Sequence, residues 1–144
     1  MRRMGYFKDA AELYECIAGF FKESARNEEM GPKIAASKLI ITFEYSDPEA
    51  VITVDAKNPP PEGTYFNIIE GPTDLKPDVR MTMSADIAHR FWFGKVNLVQ
   101  ALSKGEMKAQ GPIPAILKLL PAIKPAYTLY PEYLKRIGKE DKVI

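Results

Sequence analysis

The sequence predicts an α+β fold built on a five-stranded, mostly antiparallel sheet covered by helices. Three observations carry this. Period-two apolar runs follow one another from Leu39 to Met83 with turn chemistry between them. An amphipathic helical stripe precedes them, and proline-punctuated helical segments close the chain. Strands joined by short turns pair antiparallel, and helices grouped before and after them pack onto the sheet.

The elements follow in order. A helix is expected from about Lys8 to Asn27, because Leu13, Cys16, Ile17, Phe20, Phe21 and Ser24 recur at three-and-four spacing. Gly31 and Pro32 close that region. Leu39–Tyr45 alternates, with Leu39, Ile41, Phe43 and Tyr45 on one face. Ser46-Asp47-Pro48-Glu49 is a turn, so Ala50–Asp55 returns as a hairpin partner. The stiff loop around Pro59, Pro60 and Pro61 leads to a third strand, Thr64–Glu70, which Gly71 and Pro72 end. Val79–Met83 is a fourth, with Val79, Met81 and Met83 on one face.

Ser84 then caps a helix to about Phe93, with Gly94 just beyond it. Asn97 caps another over Leu98–Ser103, closed by Gly105. Glu106–Gln110 is the fifth strand. The connection from Met83 to Glu106 is long enough to cross one sheet face, which allows one parallel pairing. Gly111-Pro112 breaks the strand. Helices over Ile113–Ile123 and Pro131–Ile137 complete the chain.

A chain of 144 residues is expected to form a single domain over 1–144. Its net charge of +1 argues against nucleic acid, which is held by a concentrated positive field. Cys16, the single cysteine, has no disulfide partner, which fits a reducing compartment. Arg2 and Arg3 are followed by acidic and aromatic residues, not by an apolar signal core. No stretch reaches the roughly 20 apolar residues that span a bilayer. The expected location is cytoplasmic.

Three blocks carry a family resemblance. Pro77–Asp86 reads as a strand running into a capped helix. Gly94-Lys95-Val96-Asn97-Leu98-Val99-Gln100-Ala101 is a glycine-lysine turn into a second helix. Gly105-Glu106-Met107-Lys108-Ala109-Gln110-Gly111 is a strand bounded by glycines. In order and spacing these resemble the sterol carrier protein 2 domain family. The resemblance implies a small domain whose sheet and helices enclose an apolar cavity. It also implies binding of sterols, fatty acids, acyl-CoA or phospholipids. The sequence departs from the family after Gly111, where Pro112, Pro114 and Pro121 punctuate the chain, and it lacks a peroxisomal ending. The ligand is therefore read as lipid-like, not as sterol.

The candidate ligand-contacting residues lie in the last half of the chain. Ile113, Ile116, Leu117 and Leu120 share one helical face, and Leu119 and Ile123 widen it. Such a helix is either a core helix on the sheet or the wall of a lipid pocket, and the two are compatible. Phe91, Trp92 and Phe93 point about 100° apart on a helix, so they do not share one core. Either Phe91 packs while Trp92 covers a sheet edge, or Trp92 and Phe93 meet a ligand or a surface. Met81, Met83 and Met107 are flexible fillers on strands, suited to the core or to variable apolar ligands. Leu98 and Leu102 join this apolar set. Tyr127, Tyr130 and Tyr133 suit a cavity rim or simple packing. Lys95, Lys104 and Lys108 suit an anionic head group or a solvated surface.

Catalytic equipment is sparse. His89 is the single histidine and reads as a solvated surface residue; Cys16 falls on the apolar stripe as an inert core thiol. Zinc chemistry and a nucleophilic triad both require more than these supply. No cofactor or metal is expected. The favoured reading is a non-catalytic carrier of a lipid-like ligand with transient membrane-surface contact. An accessory domain on an enzyme partner, or a homodimer, is the alternative. An acyl-group enzyme using Cys16 or His89 is third.

Overall fold

The computed structural model describes residues 5–144; Arg2 and Arg3 lie outside them. The first helix spans residues 10–24 in three pieces: α1 (Ala10–Leu13), a π-helical turn (Tyr14–Ala18) and α2 (Gly19–Ser24). The Asp9 carboxylate caps it by accepting the Glu12 N–H at 2.9 Å. In the π turn the Gly19 N–H turns to the Tyr14 and Cys16 carbonyls. The Tyr133 hydroxyl donates to the Glu15 carbonyl at 2.8 Å. Gly19 is what lets that ring approach: a Cβ there would lie 2.0 Å from the Tyr133 oxygen. Gly31 and Pro32 do not end the region. They open a further short helix, α3 (Gly31–Ala35), because proline's missing N–H is harmless in a first turn.

The strands are β1 (Ile40–Ser46), β2 (Ala50–Asp55), β3 (Asn67–Glu70), β4 (Val79–Ser84) and β5 (Met107–Gln110), in the order β3-β2-β1-β4-β5. Three pairings are antiparallel. The parallel one joins β1 to β4, not the strands on either side of the long connection, since β4 and β5 run antiparallel. β3 starts later than the sequence suggests because the Tyr65 N–H is drawn off the ladder to the Ala25 carbonyl, at 2.7 Å.

Register decides what the sheet offers to the helices. Val54, Ile41 and Val79 form one cross-strand row. Ile52, Phe43, Met81 and Ala109 form the next, and Ala50, Tyr45, Met83 and Met107 the third. The other face carries polar partners, among them Arg80 bonded to Glu44 at 2.5 Å and Thr42 bonded to Thr53 at 3.0 Å.

α4 (Ala85–Phe91) and α5 (Leu98–Lys104) have the expected caps. Ser84 accepts from Ile87 N–H at 3.1 Å and Asn97 from Gln100 N–H at 3.0 Å; Gly105 adopts the left-handed conformation. The expected Ile113–Ile123 helix is two short ones, α6 (Ile113–Leu117) and α7 (Leu120–Ile123). Pro121 has no N–H to give the Leu117 carbonyl, so the ladder breaks between them. α8 (Ala126–Arg136) starts five residues before the expected Pro131 and runs through that proline. A 3₁₀ turn, Glu140–Lys142, follows.

That turn folds back onto α1. Glu12, 8% exposed, receives Lys139 at 3.0 Å, Lys142 at 3.1 Å and the Lys8 N–H at 2.9 Å. Burial pushes its carboxyl up, but the Lys8 N–H and the two ammonium groups outweigh it and bring the pKa down to about 2. Among the described residues no helix is long and apolar enough to cross a membrane.

Candidate apolar ligand site

The helix-facing rows of the sheet and the helices above them do not close completely. Two apolar cavities of about 70 Å³ each remain between them. The first lies toward β2 and α2, bordered by Phe21, Met30, Val54 and Phe66. The second lies toward β4 and β5, bordered by Tyr45, Met81, Met83 and Met107 from below and by Leu98, Ile116 and Leu120 from above. Ile41, Phe43, Trp92, Leu119 and Ile123 border both, so the two adjoin across one shared partition.

Trp92 is the centre of that partition. It sits just after α4 and is 9% exposed. It meets Phe21 edge-on at 5.2 Å, and Phe21 meets Phe43 at 5.7 Å. No charged side chain borders either cavity. Ser24 contributes a hydroxyl, already donated to the Phe20 carbonyl at 3.0 Å. The Tyr45 hydroxyl is buried and, among the described residues, has no hydrogen-bond partner.

The residues singled out in the sequence divide. Phe91, Trp92, Leu98, Met81, Met83, Met107, Ile116 and Leu120 border the second cavity. Phe93, Leu102, Ile113 and Leu117 lie outside both linings. Phe93 turns instead to His89, at 4.9 Å, and to Tyr130, at 5.1 Å. Several bordering residues went unselected. Ile41, Phe43 and Tyr45 were visible as one face of an alternating strand. Met30 lies outside any periodic run and carries no signal; Phe66 falls within the expected third strand but stands in the irregular segment just before β3.

His89 is not on the surface. It is 0% exposed, packed among Tyr6, Phe7, Phe93 and Tyr130. The cause is chain cover that helix periodicity does not reveal: residues before α1 and after α8 close over the outer side of α4. A carbonyl only accepts, so His89 Nε2–H donates to the Lys142 carbonyl at 2.8 Å. Nδ1 is then the acceptor for the Tyr130 hydroxyl at 2.9 Å. Burial drives the imidazole pKa down to about 4, against the opposing effect of the Lys142 carbonyl. Cys16 is likewise 0% exposed, its thiol pushed up to about 12 chiefly by burial.

Of the three tyrosines, Tyr127 is half-buried and the other two pack inward. Tyr130 and Tyr133 are buried, with hydroxyls bound to His89 and to the Glu15 carbonyl, not turned to water. Lys95 and Lys104 border a polar groove of about 470 Å³ with Arg90, Asp86 and Glu106, whereas Lys108 stands on β5 opposite Thr82.

The model of the SCP-2 sterol transfer family matches residues 20–124. The chain belongs to that family. Its members' fold recurs in three solved structures. The sterol carrier protein domain 2 of Helicoverpa armigera is 23% identical, with a TM-score of 0.64 over 81% of this chain and 89% of that one. Sterol carrier protein 2 from Yarrowia lipolytica is 17% identical, with a TM-score of 0.59 over 82% of this chain and 91% of that one. The stereoselective inverting sec-alkylsulfatase from Pseudomonas sp. is 17% identical, with a TM-score of 0.54 over 69% of this chain but 15% of that one. By sequence, no curated protein matches the chain.

The close approach of two strand ends requires one glycine. Gly111 has φ +122°, and a Cβ on it would meet the Asp78 carbonyl oxygen at a non-bonded distance of 2.4 Å. The end of β5 thus presses against the entry to β4, which holds the floor of the second cavity in register.

Proposed function

We propose that the protein binds an apolar, lipid-like ligand without catalysis, in the space between the sheet and α6–α7. The ligand class is that of fatty acids, fatty acyl-CoA, phospholipids or sterol-like molecules. The observation that carries this is the pair of adjoining cavities, bordered by apolar side chains and separated by one partition. Transfer of the ligand's apolar surface out of water supplies about 25 cal/mol per Å² before ordering costs.

Their volume constrains the mechanism. Sites for small molecules span roughly 300–1,000 Å³. Two cavities of about 70 Å³ fall well short, so a ligand must displace part of the partition and merge them. Leu119 and Ile123 are the partition residues best placed to move. Among the described residues the segment 112–124 is joined to another element by one backbone hydrogen bond, the Tyr127 N–H of α8 to the Lys124 carbonyl at 3.1 Å; the Ala115, Lys118, Leu119 and Ile123 N–H groups all bond within it.

Trp92 is the single tryptophan, and it stands in the partition, so its fluorescence reports filling directly. Titration with a long-chain fatty acid, an acyl-CoA and a dispersed phospholipid is expected to shift its emission saturably for at least one of them. Native mass spectrometry of the purified protein is expected to show a co-purifying lipid. No binding of any class at high micromolar concentration would refute the proposal.

The sec-alkylsulfatase similarity favours a second reading, in which this chain acts beside a lipid- or acyl-metabolising enzyme. There the matching region is a small part of an enzyme's chain. Light scattering of the protein mixed with a candidate enzyme distinguishes it, because a carrier acting alone forms no complex.

A further inference from the structure

Tyr45 lies on β1 in the cross-strand row between Ala50 and Met83, and its side chain borders the second cavity. Its ring lies parallel to that of Phe43, with planes 5° apart and centroids 6.3 Å apart. The residue is 5% exposed, and its hydroxyl has no hydrogen-bond partner among the described residues. Buried polar groups in folded proteins are nearly always satisfied, so such a hydroxyl demands an explanation. Its surroundings narrow the answer. Ser24, the other hydroxyl at the cavities, already spends its proton on the Phe20 carbonyl. No Lys, Arg or His borders either cavity, so an ionised head group would be buried there without a counter-charge.

We infer that the Tyr45 hydroxyl donates a hydrogen bond to the ligand, and that the cavity selects an apolar chain bearing one neutral oxygen acceptor. Ketone, ester and hydroxyl oxygens qualify; an ionised carboxylate does not. This rests on the apolar-ligand reading above and names the chemistry of that same site. Burial raises the Tyr45 pKa, which keeps the phenol protonated as a donor.

The test uses three probes of equal chain length, dodecane, dodecan-2-one and dodecanoate at pH 8, titrated into wild type and Tyr45→Phe by Trp92 fluorescence. Wild type is expected to bind the ketone about three- to tenfold more tightly than the alkane, the usual worth of one net hydrogen bond. Tyr45→Phe is expected to erase or reverse that gap, weakening the ketone far more than the alkane, because the ketone oxygen is then buried without a donor. Dodecanoate binds weakest to both. The carbonyl stretch of bound dodecan-2-one moves to lower frequency in wild type and not in Tyr45→Phe, a signature that a packing role for the ring does not produce. The hydroxyl makes no bond within the protein, so Tyr45→Phe keeps the wild-type Tm or raises it. Equal binding of ketone and alkane by wild type overturns the inference and leaves the apolar cavity standing; so does tightest binding of dodecanoate. Binding of none of the three overturns the cavity reading with it.

Discussion

Acid should weaken this protein through one imidazole. His89 is held neutral, its pKa near 4 against 6.5 for an unburied histidine. A folded-state pKa below the unfolded value means that the unfolded chain takes up the proton first. The stability His89 protects is therefore intact above about pH 6.5 and is lost as pH falls toward 4. At pH 5 the difference in proton binding amounts to about 2 kcal/mol, and below pH 4 to about 3 kcal/mol. Urea denaturation at pH 7 and pH 5 measures this, because most carboxylates change little across that interval. His89 is the single histidine, so its ring-proton NMR signal needs no assignment by mutation. That signal is expected to stay at its neutral position down to about pH 5. His89→Gln, which keeps a donor for the Lys142 carbonyl, is expected to flatten the pH dependence. Titration of the ring near 6.5, or equal stability at the two pH values, would refute the burial and the tautomer together.

Two other sites give independent tests. Glu12 has a depressed pKa, so its contribution is present above 4.5 and disappears as pH falls through about 2; Glu12→Gln is expected to cost about 3 kcal/mol at pH 7 and well under about 1 kcal/mol at pH 2, measured by thermal unfolding. Gly19→Ala places a Cβ against the Tyr133 oxygen and is expected to cost about 1–3 kcal/mol. Adding Tyr133→Phe should restore part of that loss, and a purely additive double variant would show that the two residues do not meet.

The sheet was legible because its signals are local. Alternation in Leu39–Tyr45, the proline turn and the β-branched return strand specify one hairpin without help from the rest of the chain. The caps at Ser84, Asn97 and Gly105 are likewise short-range chemistry. What the sequence concealed depends on distant cover. His89 looks solvated on its own helix, and only the residues before α1 and the Glu140–Lys142 turn enclose it. The cavity border was half legible for the same reason. Residues on strands and α4–α5 announce their faces by period, whereas Met30 and Phe66 arrive from irregular segments. Phe93 was misleading because its apolar character is spent on the His89–Tyr130 cluster. Proline marks a helix end at some positions here and not at others. Pro32 opens a helix and Pro131 sits inside one, while Pro121, in a run apolar enough for a single helix, divides it.

That division bears on how a closed-looking core admits a ligand. The other layer over the sheet is pinned by polar links. Lys139 and Lys142 clasp Glu12, Tyr133 holds the π turn, and Arg136 grips both carboxylate oxygens of Glu23 at 3.0 and 2.8 Å. α6 and α7 have no such link to the body among the described residues, and Pro114 and Pro121 keep each helix short. Displacing the Glu12 clasp strands a buried carboxylate, which costs several kcal/mol, whereas the exposed Arg136–Glu23 pair adds little. Displacing α6–α7 exposes apolar surface alone, and an apolar ligand covers that surface again as it enters. The cost of opening this wall is thus returned by the ligand that opens it, whereas opening at any clasped edge returns nothing. On the proposed reading, the unclasped α6–α7 wall is therefore the entrance, with Leu119 and Ile123 as the side chains that give way.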